Sequence, residues 1–257
     1  PYGEPKYVNL IKDNLIDIKE DGTFRLDMSF FNYHRGFRMT NRKFYKLFNN
    51  GPRYSNQEIT QFYMDIASSI QVVTEEVVLK LARTIRKETG LKRICLAGGV
   101  ALNCVANGKI ILENIFDEIW IQPASGDAGT SIGGALVAEY QYFKNKRTIS
   151  IQDSMKGSFL GPNFSNNNIK KYLNSINASF KEMEDEQLFQ NVVDLICKGK
   201  VVGWFNGPME FGPRALGARS IIGDPRNEKM QSIMNLKIKY RESFRPFAPS
   251  VLEEHLS

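Results

Sequence analysis

The sequence predicts an α/β protein of two units, and three observations support this. A strand, a glycine-rich loop and a helix follow one another twice between residues 93 and 143, a pattern typical of parallel strands joined by crossover helices. Residues 146–157 are polar and charged, as in a linker. A second series of helical and strand patterns begins near residue 158. We therefore predict units at 1–145 and 158–257.

The composition is that of a globular protein with a sizeable core. The chain has 257 residues, of which 42% are hydrophobic and 24% charged. No apolar run approaches the roughly 20 residues that span a bilayer, so we expect no membrane partner. Cys95, Cys104 and Cys197 form no metal-binding CxxC pair. An odd count without a disulfide framework indicates a reducing compartment, and we expect the cytoplasm.

The charge balance favours a small anionic ligand. The net charge is +6, and basic residues scatter through the first half and then gather between Arg214 and Arg245. In this second stretch they alternate with Gly and Pro, which fits a phosphate or a nucleotide better than a nucleic-acid duplex.

The first unit opens with a predicted hairpin and a long helical pattern. Two alternating runs, at 15–18 and 24–28, flank an Asp-Gly pair, which is a hairpin signal. From 56 to 89 apolar residues recur at steps of three and four, which predicts one long helix or two shorter ones. Asn56 is a plausible start and Gly90 a natural end of this pattern.

Two strands follow, at 93–97 and 118–122, each leading into a helix. The helices are predicted from Val100 to about residue 112, and from Gly129 to about residue 143.

The second unit alternates helical and strand patterns. The predicted helices are 166–173, 185–197 and 229–238, the predicted strands are 180–183 and 201–205, and a proline-containing segment closes the pattern at 244–249. Ser165 is a candidate N-cap for the first of these helices.

The loops after the two parallel strands are the first candidate site. Gly98 and Gly99 lack Cβ atoms, so a ligand can approach the backbone, and the helix that follows offers free N–H groups. Asp127, in the second loop, could cap its helix or bind a metal. Each loop alone could be a simple turn, but both would lie at the carboxyl ends of neighbouring strands, where open α/β sheets bind ligands. Neither loop has dinucleotide or P-loop spacing.

A basic stretch in the second unit is the second candidate site. Its side chains are Arg214, Arg219, Arg226, Lys237, Lys239, Arg241 and Arg245. Guanidinium groups match phosphate geometry, and such a cluster is stable only when an anion or acidic side chains compensate it. The alternative is that these arginines are surface residues paired with Glu210, Asp224 and Glu242.

These motifs resemble the NodU/CmcH-type O-carbamoyltransferase family along nearly the whole chain. The matching strings are P-Y-G at 1–3, A-G-G-V-A-L-N-C-V-A-N-G at 97–108, Q-P-A-S-G-D-A-G at 122–129, M-E-F-G-P-R-A-L-G-A-R-S at 209–220, D-P-R at 224–226 and K-Y-R-E-S-F-R-P-F-A-P at 239–249. The string at 209–220 is highly specific, whereas a Gly-Gly turn alone would be weak.

The resemblance implies the later half of an actin/hexokinase-like (ASKHA) domain followed by the start of a YrdC-like domain. Such an enzyme joins carbamoyl phosphate and ATP into carbamoyl adenylate. It then transfers the carbamoyl group to a hydroxyl of a small molecule, such as a sugar or an antibiotic-like compound. A homodimer is compatible with it.

The resemblance also implies roles for individual residues. Asp127 would bind a divalent metal, expected to be iron. Positions along the nucleotide would be Gly98, Gly99, Ala101, Asn103, Gly126 and Gly129. The anion site of the second unit would contain Arg214, Arg219 and Lys239 as catalytic residues and Ser220, Arg241 and Arg245 as binding residues.

One departure from the family concerns histidine. The family's metal site includes a closely spaced histidine pair, whereas this chain has only His34 and His255. We therefore expect an incomplete ligand set, no catalytic base, and a fragment that is inactive alone. The start without Met, and a closing stretch at 251–255 that resembles an element still running, support the expectation of a fragment.

Two other functions stay open from the sequence. One is threonylcarbamoyl transfer to tRNA, or carbamoyl chemistry on a hydrogenase-maturation cysteine. The other is a nucleotide-binding module without chemistry.

Overall fold

The computed structural model describes residues 2–54 and 56–255, so Pro1, Ser55, Leu256 and Ser257 lie outside the described residues. The predicted mixed α/β class is confirmed by helices interspersed with three small sheets. The chain divides into two compact units, Pro1–Asp127 and Ala128–Ser257. In the described part of the chain, no helix combines the length and the apolar character needed to cross a membrane.

Unit 1 begins with a helix and the predicted hairpin. Helix α1 (Val8–Asn14) precedes β1 (Ile16–Ile18) and β2 (Phe24–Leu26), which pair antiparallel and confirm the hairpin. A second short helix, α2 (Arg42–Leu47), was not predicted from the sequence. The first core cluster comprises Ile11, Leu15, Phe30, Phe48 and Val73.

The long helical pattern forms one helix, α3 (Gln61–Thr89), of 29 residues. The predicted end is confirmed, because Gly90 is left-handed with a φ of 64°. The predicted start at Asn56 is wrong: the helix begins after Thr60, whose extended backbone interrupts the pattern. Val73 of α3 packs in the first core cluster and Leu79 in a second one, so a single continuous helix carries both cores of the unit.

The two predicted parallel strands are β3 (Arg93–Leu96) and β4 (Glu118–Ile121), and their parallel pairing is confirmed. The crossover contains α4 (Cys104–Leu112). The predicted helix start at Val100 is wrong, because a 3-10 turn at Gly99–Leu102 comes first and Asn103 separates it from α4.

The next helix, α5 (Asp127–Val137), begins two residues before the predicted Gly129 and continues as a π-helical turn, Ala138–Tyr142. Residues 146–157 are almost entirely exposed and mostly irregular.

Unit 2 contains α6 (Asn166–Ser175), α7 (Asp185–Cys197), β5 (Val202–Phe205), β6 (Arg219–Ile222) and α8 (Met230–Ile233). Ser165 caps α6 in a capping box, which confirms its predicted role. The predicted strand at 180–183 is wrong, because this stretch pairs with no strand in the described residues. Strand β6, which was not predicted from the sequence, pairs antiparallel with β5.

Candidate functional site

The loops that follow β3 and β4 touch each other. The backbone N–H of Gly98 donates to the carbonyl of Ser125 at 2.7 Å. Because the strands are parallel, both loops lie at the same edge of the pair, and this bond joins them directly. The structure thus brings Gly98, Gly99 and Gly126 together, as the sequence analysis expected of the two loops.

Gly98 requires glycine because of its backbone and not because of crowding. Its φ is 97°, where a side chain is strained, yet a Cβ there would meet nothing within 4 Å. A Cβ at Gly99 would also meet nothing within that distance. Among the described residues, the N–H groups of Gly99 and Val100 have no acceptor. The turn therefore offers open backbone donors to an anion.

Asn103 is tied into a polar network between α3 and α4. Its Oδ1 accepts from the N–H of Ala106 at 3.2 Å, which caps α4. Its amide also exchanges two hydrogen bonds with Gln71, at 2.9 and 3.2 Å. Gln71 Nε2 in turn donates to Glu75 Oε1 at 2.8 Å. The side chain predicted to lie along a nucleotide therefore has a structural role in positioning the turn.

Glu75 anchors this network from the buried face of α3. Burial raises its pKa, but hydrogen bonds from Lys109 and Gln71 outweigh that effect and leave the pKa below its usual range. Lys109 Nζ forms an ion pair with Glu75 Oε2. Beside it, buried Asn107 donates through Nδ2 to the carbonyl of Ala101 at 2.8 Å, which fixes the turn from below. A Gln and a Glu four residues apart within the apolar pattern of α3 were the signal that sequence reasoning missed.

The second loop leads into α5. Asp127 is the first residue of that helix and Gly129 lies in its first turn. Ser125 is buried, and its hydroxyl has no hydrogen-bond partner. No group of three or more His, Cys, Asp or Glu side chains that could hold a metal ion exists among residues 2–54 and 56–255. The described residues therefore do not fit a divalent metal by themselves, because Asp127 would be one ligand without the others.

Glu210 organises the glycine-rich loop between β5 and β6 in unit 2. Its Oε1 accepts from the N–H groups of Leu216, Ala218 and Arg219 at 2.7, 2.8 and 3.2 Å. Burial raises the pKa of Glu210, but these N–H bonds outweigh it and lower the pKa to about 2. The loop thus wraps around a carboxylate from the chain itself, a role that sequence reasoning missed when it treated Glu210 as a partner of arginine side chains.

Arg219 and Arg214 have different environments. The guanidinium of Arg219 donates to the carbonyls of Asn206, Gly207, Ala218 and Pro162 at 3.0–3.3 Å. It also lies 3.4 Å above the ring of Phe205. Arg214 is exposed and has no partner among the described residues. Ser220, next to Arg219, accepts from the N–H of Gly217 at 3.0 Å. Arg219 therefore holds the loop together, whereas Arg214 is available to a ligand.

Asn235 organises the loop at residues 239–245, a role that the sequence analysis did not predict. It is fully buried, and its Oδ1 accepts from Arg241 Nε at 2.6 Å. Its Nδ2 donates to the carbonyls of Ser243 and Arg245 at 3.0 and 2.8 Å. Lys239 is exposed and has no side-chain partner in the described residues.

Two arginines of the basic stretch, Arg226 and Arg245, are paired with acidic side chains, as the alternative interpretation expected. Arg226 makes a bidentate contact with Asp224 at 2.8 and 2.9 Å, and this contact raises the pKa of the guanidinium. Arg245 Nε lies 2.9 Å from Glu242 Oε2. Arg214 and Lys239 are therefore the cations of the predicted anion site whose side chains have no partner among the described residues.

Two family models match this chain. A model described as the carbamoyltransferase N-terminus matches residues 1–136, and one described as the carbamoyltransferase C-terminus matches residues 193–257.

Three curated proteins are similar to this chain. An uncharacterized protein of Synechocystis is 60% identical over 99% of this chain and 42% of its own length. Nodulation protein NolO of Bradyrhizobium diazoefficiens is 38% identical over 80% of this chain and 37% of its length. Nodulation protein U of Rhizobium fredii is 30% identical over 64% of this chain and 26% of its length. The chain thus spans about two fifths or less of these relatives.

Proposed function

The chain belongs to the carbamoyltransferase family, and we propose that it forms part of an O-carbamoyltransferase that uses carbamoyl phosphate and ATP. The proposed acceptor is a hydroxyl of a small molecule, either a sugar or an antibiotic-like compound. We further propose that unit 1 is the later part of an actin/hexokinase-like domain and that unit 2 begins a YrdC-like domain. The parallel strand pair with ligand-accessible loops at its carboxyl edge supports the first of these assignments.

The proposed reaction has two steps. Carbamoyl phosphate, ATP and one water give carbamoyl adenylate, phosphate and pyrophosphate. The acceptor hydroxyl then attacks the carbamoyl carbon and loses its proton, and AMP leaves. Both steps develop negative charge on phosphoryl oxygens, which positioned cations and backbone donors stabilise.

In unit 1, we assign the nucleotide to the turn after β3. The N–H groups of Gly99 and Val100 would donate to its phosphates, and Gly98 and Gly126 would leave room for it. Ala101 completes the proposed surface in unit 1, and Gly129, in the first turn of α5, stays a nucleotide contact expected from the sequence. Asn103 would act indirectly, through its bonds to Gln71 and Ala106, by holding the turn in place.

In unit 2, we assign direct anion binding to Arg214 and Lys239, since neither has a compensating partner in the described residues. Arg219 would position the loop, because its guanidinium already donates to backbone carbonyls. Ser220, Arg241 and Arg245 would shape the same surface. If a divalent iron ion takes part, Asp127 is the ligand that this chain would supply, and the remaining ligands would come from elsewhere.

The contact between Gly98 and Ser125 carries the proposal, because it joins two open loops at one edge of a parallel strand pair in a chain of this family. The test is pyrophosphate release by the intact protein with ATP, with carbamoyl phosphate, and with both. We expect release only with both substrates, together with a mass matching carbamoyl adenylate. Pyrophosphate release that does not depend on carbamoyl phosphate contradicts the proposal. The chain of 257 residues alone is expected to show no transfer.

A further inference from the structure

Residues 28–57, which we term the basic segment, carry a net charge of +6. It contains no Asp or Glu and six basic residues, Arg35, Arg38, Arg42, Lys43, Lys46 and Arg53. Removing these six from the 34 Lys and Arg leaves 28, which equals the number of Asp and Glu. The basic residues of the first half are therefore not simply scattered, and this segment carries a net charge equal to that of the whole chain.

The basic segment presents an exposed apolar tip. Phe31 and Thr40 form an isolated antiparallel bridge, and the N–H of Asn32 donates to the carbonyl of Met39 at 2.9 Å. The intervening residues form a protruding turn. At this turn Phe37 is fully exposed and Met39 is 69% exposed. Single exposed apolar residues are ordinary, but two of them on one short protruding turn indicate a surface that meets an apolar environment.

Uncompensated cations surround this tip. Arg35 and Arg38 lie on the turn itself, and Arg42 and Lys46 follow in α2 at a spacing of four, which places them on one face of the helix. The side chains of these four have no ion-pair or hydrogen-bond partner within the described ranges.

The other two cations of the segment have partners. Lys43 lies 3.5 Å from Asp27 and 3.9 Å above the ring of Phe30. Arg53 donates to the carbonyl of Gln57 at 2.7 Å. The unpaired cations are thus confined to the tip and the helix beside it.

We propose that the basic segment attaches the protein to the surface of an anionic lipid bilayer. Phe37 and Met39 enter the boundary between headgroups and acyl chains, while Arg35, Arg38 and Arg42 bind headgroup phosphates. An exposed apolar tip with unpaired arginines on the same turn fits this interface. Single-stranded nucleic acid instead favours a basic groove along which several rings are free to stack on bases. On this turn the ring of Tyr33 already contacts those of Phe31 and His34, and in the described residues Phe37 has no ring contact. Our expectation of no membrane partner came from the lack of a spanning segment, which surface attachment does not need.

The test is co-sedimentation of the intact protein with lipid vesicles. One preparation is pure phosphatidylcholine and the other contains about 30 mol% phosphatidylglycerol. We expect binding to the anionic vesicles alone. The binding should weaken between about 0.1 M and about 0.5 M NaCl, because salt screens the headgroup charge.

Two variants with matched controls separate the cations from the apolar tip. The triple variant Arg35→Gln, Arg38→Gln, Arg42→Gln should bind anionic vesicles at least about tenfold more weakly, since each cation contributes separately. Its control changes three exposed lysines of unit 2, Lys171→Gln, Lys181→Gln, Lys198→Gln, and should bind as the wild type. Phe37→Ser should lose about threefold or more, whereas Ile151→Ser, at another fully exposed position, should lose nothing.

Phe37→Trp reports insertion directly. Its fluorescence should shift to the blue on adding anionic vesicles and be quenched by brominated acyl chains. Unchanged vesicle binding by the arginine variant overturns the proposal, as does unchanged binding by Phe37→Ser. Tighter binding to a single-stranded oligonucleotide than to the vesicles overturns it as well. So does failure of a thiol reagent to label Phe37→Cys beyond the wild-type level in the intact protein, because the tip would then be covered.

Discussion

Gln71 and Asn103 exchange two hydrogen bonds across 32 residues of sequence, at 2.9 and 3.2 Å. Gln71 belongs to α3, whereas Asn103 lies between the glycine-rich turn and α4. The paired amides therefore fix the turn against the longest helix of the unit. Four predictions test this arrangement and its counterparts in unit 2.

Replacing Asn103 removes a helix cap and one partner of Gln71. We expect Asn103→Ala to lower the free energy of unfolding by about 2 kcal/mol, from the lost cap and the unpaired amide. Urea denaturation measures this loss. Asn174→Ala, at an exposed position in α6, is the control and should cost less than about 0.5 kcal/mol. Equal losses in the two variants would show that the network contributes nothing.

Alanine substitutions at Gly98 and Gly99 measure the cost of backbone strain in the absence of steric crowding. An added Cβ meets nothing within 4 Å at either position, but only Gly98 has a positive φ, of 97°. Gly98→Ala should therefore cost about 1–2 kcal/mol of unfolding free energy, and Gly99→Ala much less. Thermal unfolding of the two variants side by side decides this. A larger loss for Gly99→Ala contradicts the prediction.

Glu210 should make stability depend on pH in acid. Its folded pKa of about 2 lies below the ordinary value of 4.5, so its charge stabilises the fold above pH 4.5 and this contribution disappears as the pH falls towards 2. Glu210→Gln should cost about 2 kcal/mol at neutral pH, because a charged acceptor is lost. The gap between variant and wild type should close below pH 4.5. Chemical denaturation across pH measures it, and a constant gap would refute the prediction.

Variants of Arg214 and Arg219 should differ in whether they lower only the activity or also the stability. Arg214→Gln should lower the rate of pyrophosphate release with both substrates by about a hundredfold, the scale for a lost transition-state donor. Its melting temperature should not change, because Arg214 has no partner in the described part of the chain. Arg219→Gln should lower both the rate and the melting temperature, because the variant loses the hydrogen bonds to four carbonyls and the contact with the Phe205 ring. An active Arg214→Gln variant would remove Arg214 from the anion site.

The parallel strands, the loops that follow them, and two of the helix ends could be predicted from local patterns. Gly90 ends α3 and Ser165 caps α6 because the preference of each residue acts within a few positions of itself. Strand β6 could not be predicted in this way, because its pairing with β5 depends on a loop of more than ten residues between them. The false strand at 180–183 has the opposite cause, since a strand pattern without a pairing partner does not form a strand.

The sequence by itself determined the α/β class, the adjacency of the two glycine-rich loops, and the motifs that resemble one enzyme family. Tertiary structure alone decided which polar groups are already satisfied. Glu210 binds backbone N–H groups, Arg219 binds carbonyls, and Asn103 binds Gln71. It also decided that Phe37 stands exposed among unpaired arginines. The physical reason is that periodicity and turn preferences act along the chain, whereas burial and hydrogen-bond partners depend on residues that folding brings together from distant positions.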